Sequence, residues 1–174
     1  DLDKVDLNQY KLIIFQNHAI SNAERNAVLK KFIYRPERLI VWIHAPGILS
    51  EGKYTPENVQ TLTGVPFGTN DHTIHQFPDH RSIYYANMFD LTAGELRRLA
   101  TEAGVHLYTP EGNAIWCSAE FLMVHRKGGA DVPVSLPRKA KRITELFSGR
   151  IVAENTDSFL EHFPDSGTRL YYLE

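Results

Sequence analysis

The chain has 174 residues, a formal net charge of −2, a pI near 6.5, 43% hydrophobic and 23% charged residues. That length suits one domain, or one α/β domain with a small β appendage, and the composition supports a packed core rather than disorder. The near-neutral charge gives no reason to expect nucleic acid or an anionic membrane as partner. No apolar run approaches the roughly 18 residues a spanning helix needs. Cys117 stands alone, which rules out an internal disulfide and any Cys/His zinc pattern.

The opening, DLDKVDLNQY, is neither a signal peptide nor a starting Met. It reads as a linker inside a longer protein. Lys11–Phe15 follows as a LIIF run suited to a strand buried on both faces. Ser21 or Asn22 caps a helix with Glu24 in its first turn, apolar Ala19, Ala23, Ala27, Val28 and Phe32, and Lys30 and Lys31 near its end. Arg35-Pro36-Glu37 breaks it, and Leu39–Ile43 is a second buried strand. The expected core therefore places Ile13, Ile14, Ile40, Val41 and Ile43 on adjacent parallel strands under Leu29 and Phe32.

Thr55 is expected to cap a short helix with Pro56 at its first position, ending at Gly64. Residues 65–80 are rich in turn formers. Arg81–Phe89 reads as a strand, Thr92 caps a helix closed by Gly104, and Val105–Tyr108 reads as another strand. From Ala114 the pattern changes to strands joined at Gly128-Gly129, Ser148-Gly149 and Asp165-Ser166-Gly167, with a short helix near Ser158–His162. The basic cluster Arg138, Lys139, Lys141 and Arg142 reads as a solvated turn. The division expected is an α/β core over 1–113 and a β extension over 114–174.

Open α/β sheets carry their chemistry at the carboxyl ends of the strands. After Leu39–Ile43 that crest reads His44-Ala45-Pro46-Gly47, which offers no nucleophile. The candidate binding residues on this loop are His44, Gly47, Glu51 and Tyr54.

Within this stretch, YKLIIF, a helix, a strand and an APG turn leading to a short helix ending in L-x-G-V resemble the amidotransferase-like trimerisation domain of some bacterial β-galactosidases. LRRLATEAGVHLYTPEGNAIWCSAEFLMVHRKGGADVPVSLP, ITELFSGRIV and TRLYYLE are similar to the closing segments of multidomain glycoside hydrolases. The resemblance implies an α/β fold with a flavodoxin-like, class I glutamine amidotransferase-like parallel core and an antiparallel β extension. It also implies a non-catalytic accessory domain that docks on the catalytic barrel of its parent and makes homo-oligomer contacts. The glycosidic carboxylates would then sit on the barrel, so none is carried over to this chain.

Residue types discriminate among the competing chemistries. A thiol hydrolase needs a thiolate with a His and oxyanion donors; the alternative reading, an amidotransferase-like hydrolase around His44 and Cys117, lacks the nucleophile at the turn, and Cys117 reads as a packing residue. Asp71, His72, His75, Asp79 and His80 contain metal-ligand types, but the i, i+3 spacing splits faces on a strand, so a polar loop or edge strand is expected. Glu51, Glu57, Asp71 and Glu120 offer carboxylates with nothing to pair them across a sugar. Nucleotide or flavin binding lacks a Gly-rich phosphate loop, so no cofactor is expected. A sugar-binding module is the third reading. For it, Trp42, Tyr54, Tyr84, Tyr85, Trp116, Tyr171 and Tyr172 supply aromatics, with Trp42 and Trp116 expected in the core and Tyr54 exposed.

Overall fold

The computed structural model describes residues 4–174, which fold as two compact units, the first ending at Val105 and the second running from His106 to Glu174. The change of sequence pattern at 113/114 lies inside the second.

In the first unit, β1 (Leu12–Phe15), β3 (Leu39–Ile43) and β7 (Arg81–Tyr85) are parallel, and β6 (His75–Gln76) runs antiparallel on β7, in the order β1-β3-β7-β6. β3 is an unbroken apolar run buried at every position. Alternation sends its side chains to two cores. Ile40 and Trp42 join Tyr84, Leu29, Ile33, Val59 and Leu62 on one face, while Leu39, Val41 and Ile43 join Ile83, Tyr85, Leu99 and Ala103 on the other. Helical segments cover both faces: the Leu29–Ile33 turn that continues α1 (Ala23–Val28), together with α2 (Glu57–Thr63), covers one, and α3 (Ala93–Glu102) the other. A separate small sheet joins β2 (Ile20–Ser21), β4 (Leu49–Ser50) and β5 (Lys53–Tyr54).

Local signals worked unevenly. Asn22 is the cap of α1, its side chain accepting from Arg25 N at 2.8 Å. The helix then widens into a π turn over Leu29–Ile33, closed by Tyr34 N donating to Leu29 O. That winding turns Leu29 and Ile33 inward, whereas Phe32 is half-buried and Ala23 and Ala27 are exposed. The expected apolar stripe is out of phase at Phe32, because a 3.6-residue period does not describe a π turn, while Ala23 and Ala27 of α1 face solvent. Ile14 is also a correction: 37% of it is exposed, since β1 is the sheet edge rather than an interior strand. Arg38, just after the Arg35-Pro36-Glu37 break, is buried and donates to the carbonyls of Tyr10, Phe32 and Ile33, gathering the entry to β1 and the end of the π turn.

Thr55 does not cap α2; Pro56 holds that position and Thr55 Oγ1 donates to Lys53 O. Gly64 ends α2 in the left-handed conformation. The expected strand over 81–89 stops at Tyr85, where Asn87 Oδ1 accepts from Phe89 N and Asp90 N and starts a 3-10 turn. Thr92 caps α3 by accepting from Glu95 N. Val105–Tyr108 is irregular rather than a strand.

The second unit is antiparallel throughout: β8 (Asn113–Cys117), β9 (Phe121–Arg126), β10 (Ala130–Glu145), β11 (Arg150–Phe163) and β12 (Gly167–Leu173), in the order β11-β10-β12-β9-β8. Val132, Val134 and Leu136 alternate inward from β10 onto Leu122, Val124, Ile143, Phe163 and Tyr171. The basic cluster lies within β10, exposed around buried Ala140, so it is a solvated strand segment and not a turn. Ser158–His162 belongs to β11, correcting the expected helix. Glu145 fixes the β10–β11 turn by accepting from Phe147 N at 3.1 Å and Ser148 N at 2.9 Å. Burial opposes its charge, but these bonds and that of the Ser148 hydroxyl outweigh it and lower its pKa.

Candidate functional site

The three parallel strands of the first unit end at Phe15, Ile43 and Tyr85, and the loops leaving them form its crest. His44 is exposed and takes φ of 69°, with its N–H donating to Tyr85 O at 2.9 Å and so extending the β3–β7 ladder. A non-glycine in this region is strained and uncommon. Gly47 (φ 71°) donates its N–H to His18 O at 2.8 Å and its carbonyl accepts from Asn58 Nδ2. A Cβ there would fall 2.8 Å from Leu62 Cδ1, so the glycine permits close packing of the first and second crest loops on α2. Glu51 (φ 49°) and Gly52 form the tip of the β4–β5 hairpin, and Tyr54 on β5 is 66% exposed. The four sequence candidates thus divide between a strained strand end, a packing glycine and a hairpin.

A cavity of about 510 Å³ lies at the carboxyl end of β1, lined by Ile14, Phe15, Gln16, Asn17, His18, Leu91 and Leu96. Its lining carries no carboxylate, lysine, arginine, thiol or hydroxyl. Phe15 stacks on Trp42 with centroids 4.6 Å apart, and the His18 ring leans on both. Burial first, and Arg25 second, lower the His18 pKa, so the imidazole is neutral at pH 7. His18 Nε2 is buried without a hydrogen-bond partner, an arrangement that costs on the order of 1–3 kcal/mol.

Beyond Leu96 the crest carries a charged network absent from the sequence candidates. The Tyr85 hydroxyl donates to Glu95 Oε1, and Arg98 donates to both Glu95 oxygens at 2.8 and 2.6 Å. Arg98 is the largest influence holding the Glu95 carboxyl down at about 2, with the Tyr85 hydroxyl adding to it, while burial and then Glu95 push the Tyr85 phenol up. His72 lies over the Tyr85 ring at 4.4 Å, with Nε2 3.6 Å from Asp90 Oδ2. General acid–base catalysis wants groups that exchange protons near the working pH. Here the acid and the phenol are both shifted away from it, so the network pins α3 to β7. Its sequence signal is the Thr92-x-x-Glu95 spacing of a capping box and the Glu95–Arg98 i, i+3 pair.

The other candidates scatter. His72, His75 and His80 each face a different carboxylate, Asp90, Asp71 and Asp79. No group of three metal-ligand side chains forms among the described residues. His80 is sandwiched between Tyr34 at 4.0 Å and Phe77 at 4.6 Å. Glu51 and Glu57 are exposed and Asp71 half-buried in the first unit, while Glu120 is in the β8–β9 turn of the second. His44 and Cys117 belong to different units. Cys117 is exposed, which corrects its expected packing role. Trp42 is fully buried as expected, but Trp116 is 62% exposed and lines a shallow groove of about 430 Å³ with Phe121, Met123 and Leu170.

No protein-family model and no curated protein sequence matches this chain. Solved structures do. A β-galactosidase from Bacillus circulans sp. alkalophilus superposes over 98% of this chain and 34% of its own, at TM-score 0.67 and 15% identity. The GH42 β-galactosidase Gan42B from G. stearothermophilus does so over 97% of this chain and 32% of its own, at TM-score 0.60 and 12% identity. The chain thus spans about a third of the length of the structures it matches. Its likeness to multidomain glycoside hydrolases holds as a likeness of fold: the chain folds like one part of a β-galactosidase.

Proposed function

We propose that this chain is a non-catalytic accessory domain of a larger carbohydrate-active enzyme, a glycoside hydrolase, that docks on the parent's catalytic barrel and contributes oligomer contacts. In this reading the first unit is a flavodoxin-like, amidotransferase-like core that has lost its reagent. The observation that carries it is the superposition of nearly the whole chain on about a third of two β-galactosidases. The missing nucleophile in the crest cavity agrees with it. So does the edge of the main sheet of the first unit, where β1 leaves one side unpaired and Tyr10 and Ile14 are exposed. Open edges with apolar side chains favour association.

Sedimentation velocity on the chain alone, and on the chain with the catalytic barrel of its parent protein, tests the reading. The expected result is self-association or a complex with the barrel, weakened by Ile14→Lys. A chain that stays monomeric and ignores the barrel contradicts it.

A further inference from the structure

Most polar clusters of the first unit are occupied. Glu95 is held by Arg98 and Tyr85, Arg38 by carbonyls, and His80 Nδ1 by Asp79. Gln16 and Asn17 are different. They leave the carboxyl end of β1 as exposed amides, and no described residue hydrogen-bonds either side chain. Beside them the His18 imidazole is neutral; its Nε2 is shut off from solvent without a partner, so Nδ1 is the ring atom that can meet a ligand in the cavity. All three line the same cavity, whose remaining wall is apolar: Ile14, Phe15, Leu91 and Leu96. Its volume of about 510 Å³ falls in the range of small-molecule sites.

Each feature constrains the occupant. The absence of a charged side chain from the lining gives an anion or a cation no partner to replace its water, so the ligand is neutral. Two amides and an imidazole in the lining suit a ligand with several hydrogen-bonding groups, each able to donate and accept. The aliphatic and aromatic part of the lining suits an apolar face on the same small molecule. A pyranose ring has this distribution, with hydroxyls around its rim and C–H groups on its face. We propose that the crest cavity of the first unit is a binding site for a neutral sugar, with Gln16, Asn17 and His18 as its hydrogen-bonding residues and Ile14, Phe15 and Leu96 as its apolar wall. This site is distinct from His44 and the β4–β5 hairpin. It rests on the accessory-domain reading only for the choice of probe.

The test is a 15N-resolved NMR titration of the chain with methyl β-D-galactoside, methyl β-D-glucoside and galacturonate. At least one neutral glycoside should shift the amides of residues 14–18 and 91–96 with millimolar affinity. Asn17→Ala and His18→Phe, the latter keeping a ring against Phe15 and Trp42, should each weaken binding by up to about tenfold, the scale of one lost hydrogen bond. Galacturonate should bind more weakly than the neutral glycosides. No shift with either glycoside up to about 50 mM, far beyond the millimolar range expected of a small ring, overturns the proposal. So do shifts centred on Trp116, or shifts that Asn17→Ala and His18→Phe leave unchanged. The outcome is separable from the docking reading: a cavity that binds sugar in a chain that ignores its barrel keeps this site and removes the accessory role, and the reverse result does the opposite.

Discussion

The two units bury their cores by opposite geometries. β3 is covered by helices on both faces, so LIVWI is apolar at every position and feeds two cores. β10 is covered on one, so buried Val132, Val134 and Leu136 alternate with exposed Asp131, Pro133 and Ser135. A doubly covered parallel sheet leaves only its strand ends open to ligands, and that is where the first unit keeps its cavity. A singly covered antiparallel sheet leaves a whole face open, and there the second unit exposes Trp116 and Phe121.

The two tryptophans sharpen this contrast most. Trp42→Ala should cost about 3–5 kcal/mol in urea unfolding, the usual range for a fully buried Trp. A cost below about 1 kcal/mol would mean that β3 is not covered on both faces. Next, Leu29→Ala should cost about 2–5 kcal/mol, because the π turn aims it at Trp42 and Ile40. A loss under about half a kcal/mol would put that face in solvent.

Acid should separate the units in order. Burial lowers the His80 pKa below its ordinary 6.5 despite the opposing pull of Asp79, and His18 shifts the same way. A His whose folded pKa is depressed takes up its proton more readily when unfolded. Its contribution is therefore full above pH 6.5 and is lost as pH falls from there toward the folded value. In the second unit the depressed group is Glu145, whose contribution is full above the ordinary 4.5 and falls only below it. The first unit should lose stability between pH 7 and 5 while the second holds. His80→Phe, which keeps the stack between Tyr34 and Phe77, should flatten that slope in the first unit. An unchanged slope would remove His80 from the account. The smallest effect belongs to Trp116→Ala, expected within about 0.5 kcal/mol because the side chain stands in solvent.

What the sequence made legible follows the same division. Uninterrupted apolar runs and strong caps were readable: β3, the Asn22 and Thr92 caps and the closing Gly64 and Gly104 are local signals with local causes. The π turn was hidden because its period differs from that of the α-helix it continues. The face of β8 was hidden for another reason: alternation says that Ile115 and Trp116 point oppositely but not which is inside, and Ile115 packs on the core. At the crest, His44 and Gly47 were found from their place after a buried strand. Gln16, Asn17 and His18 occupy the equivalent place after β1, but the polarity of a short loop looks like any other turn until Leu91 and Leu96 close the cavity against them.

Under the proposed reading the chain contributes structure and binding, while the bond-breaking groups lie elsewhere in a larger enzyme. The most direct measurement is turnover of a chromogenic β-galactoside by the purified chain. The account predicts hydrolysis no faster than buffer at every pH from 4 to 8, about the span over which carboxylates and histidines titrate. Turnover that co-purifies with the chain and disappears in Glu95→Gln or Cys117→Ser would contradict it and place a catalytic centre in this fold.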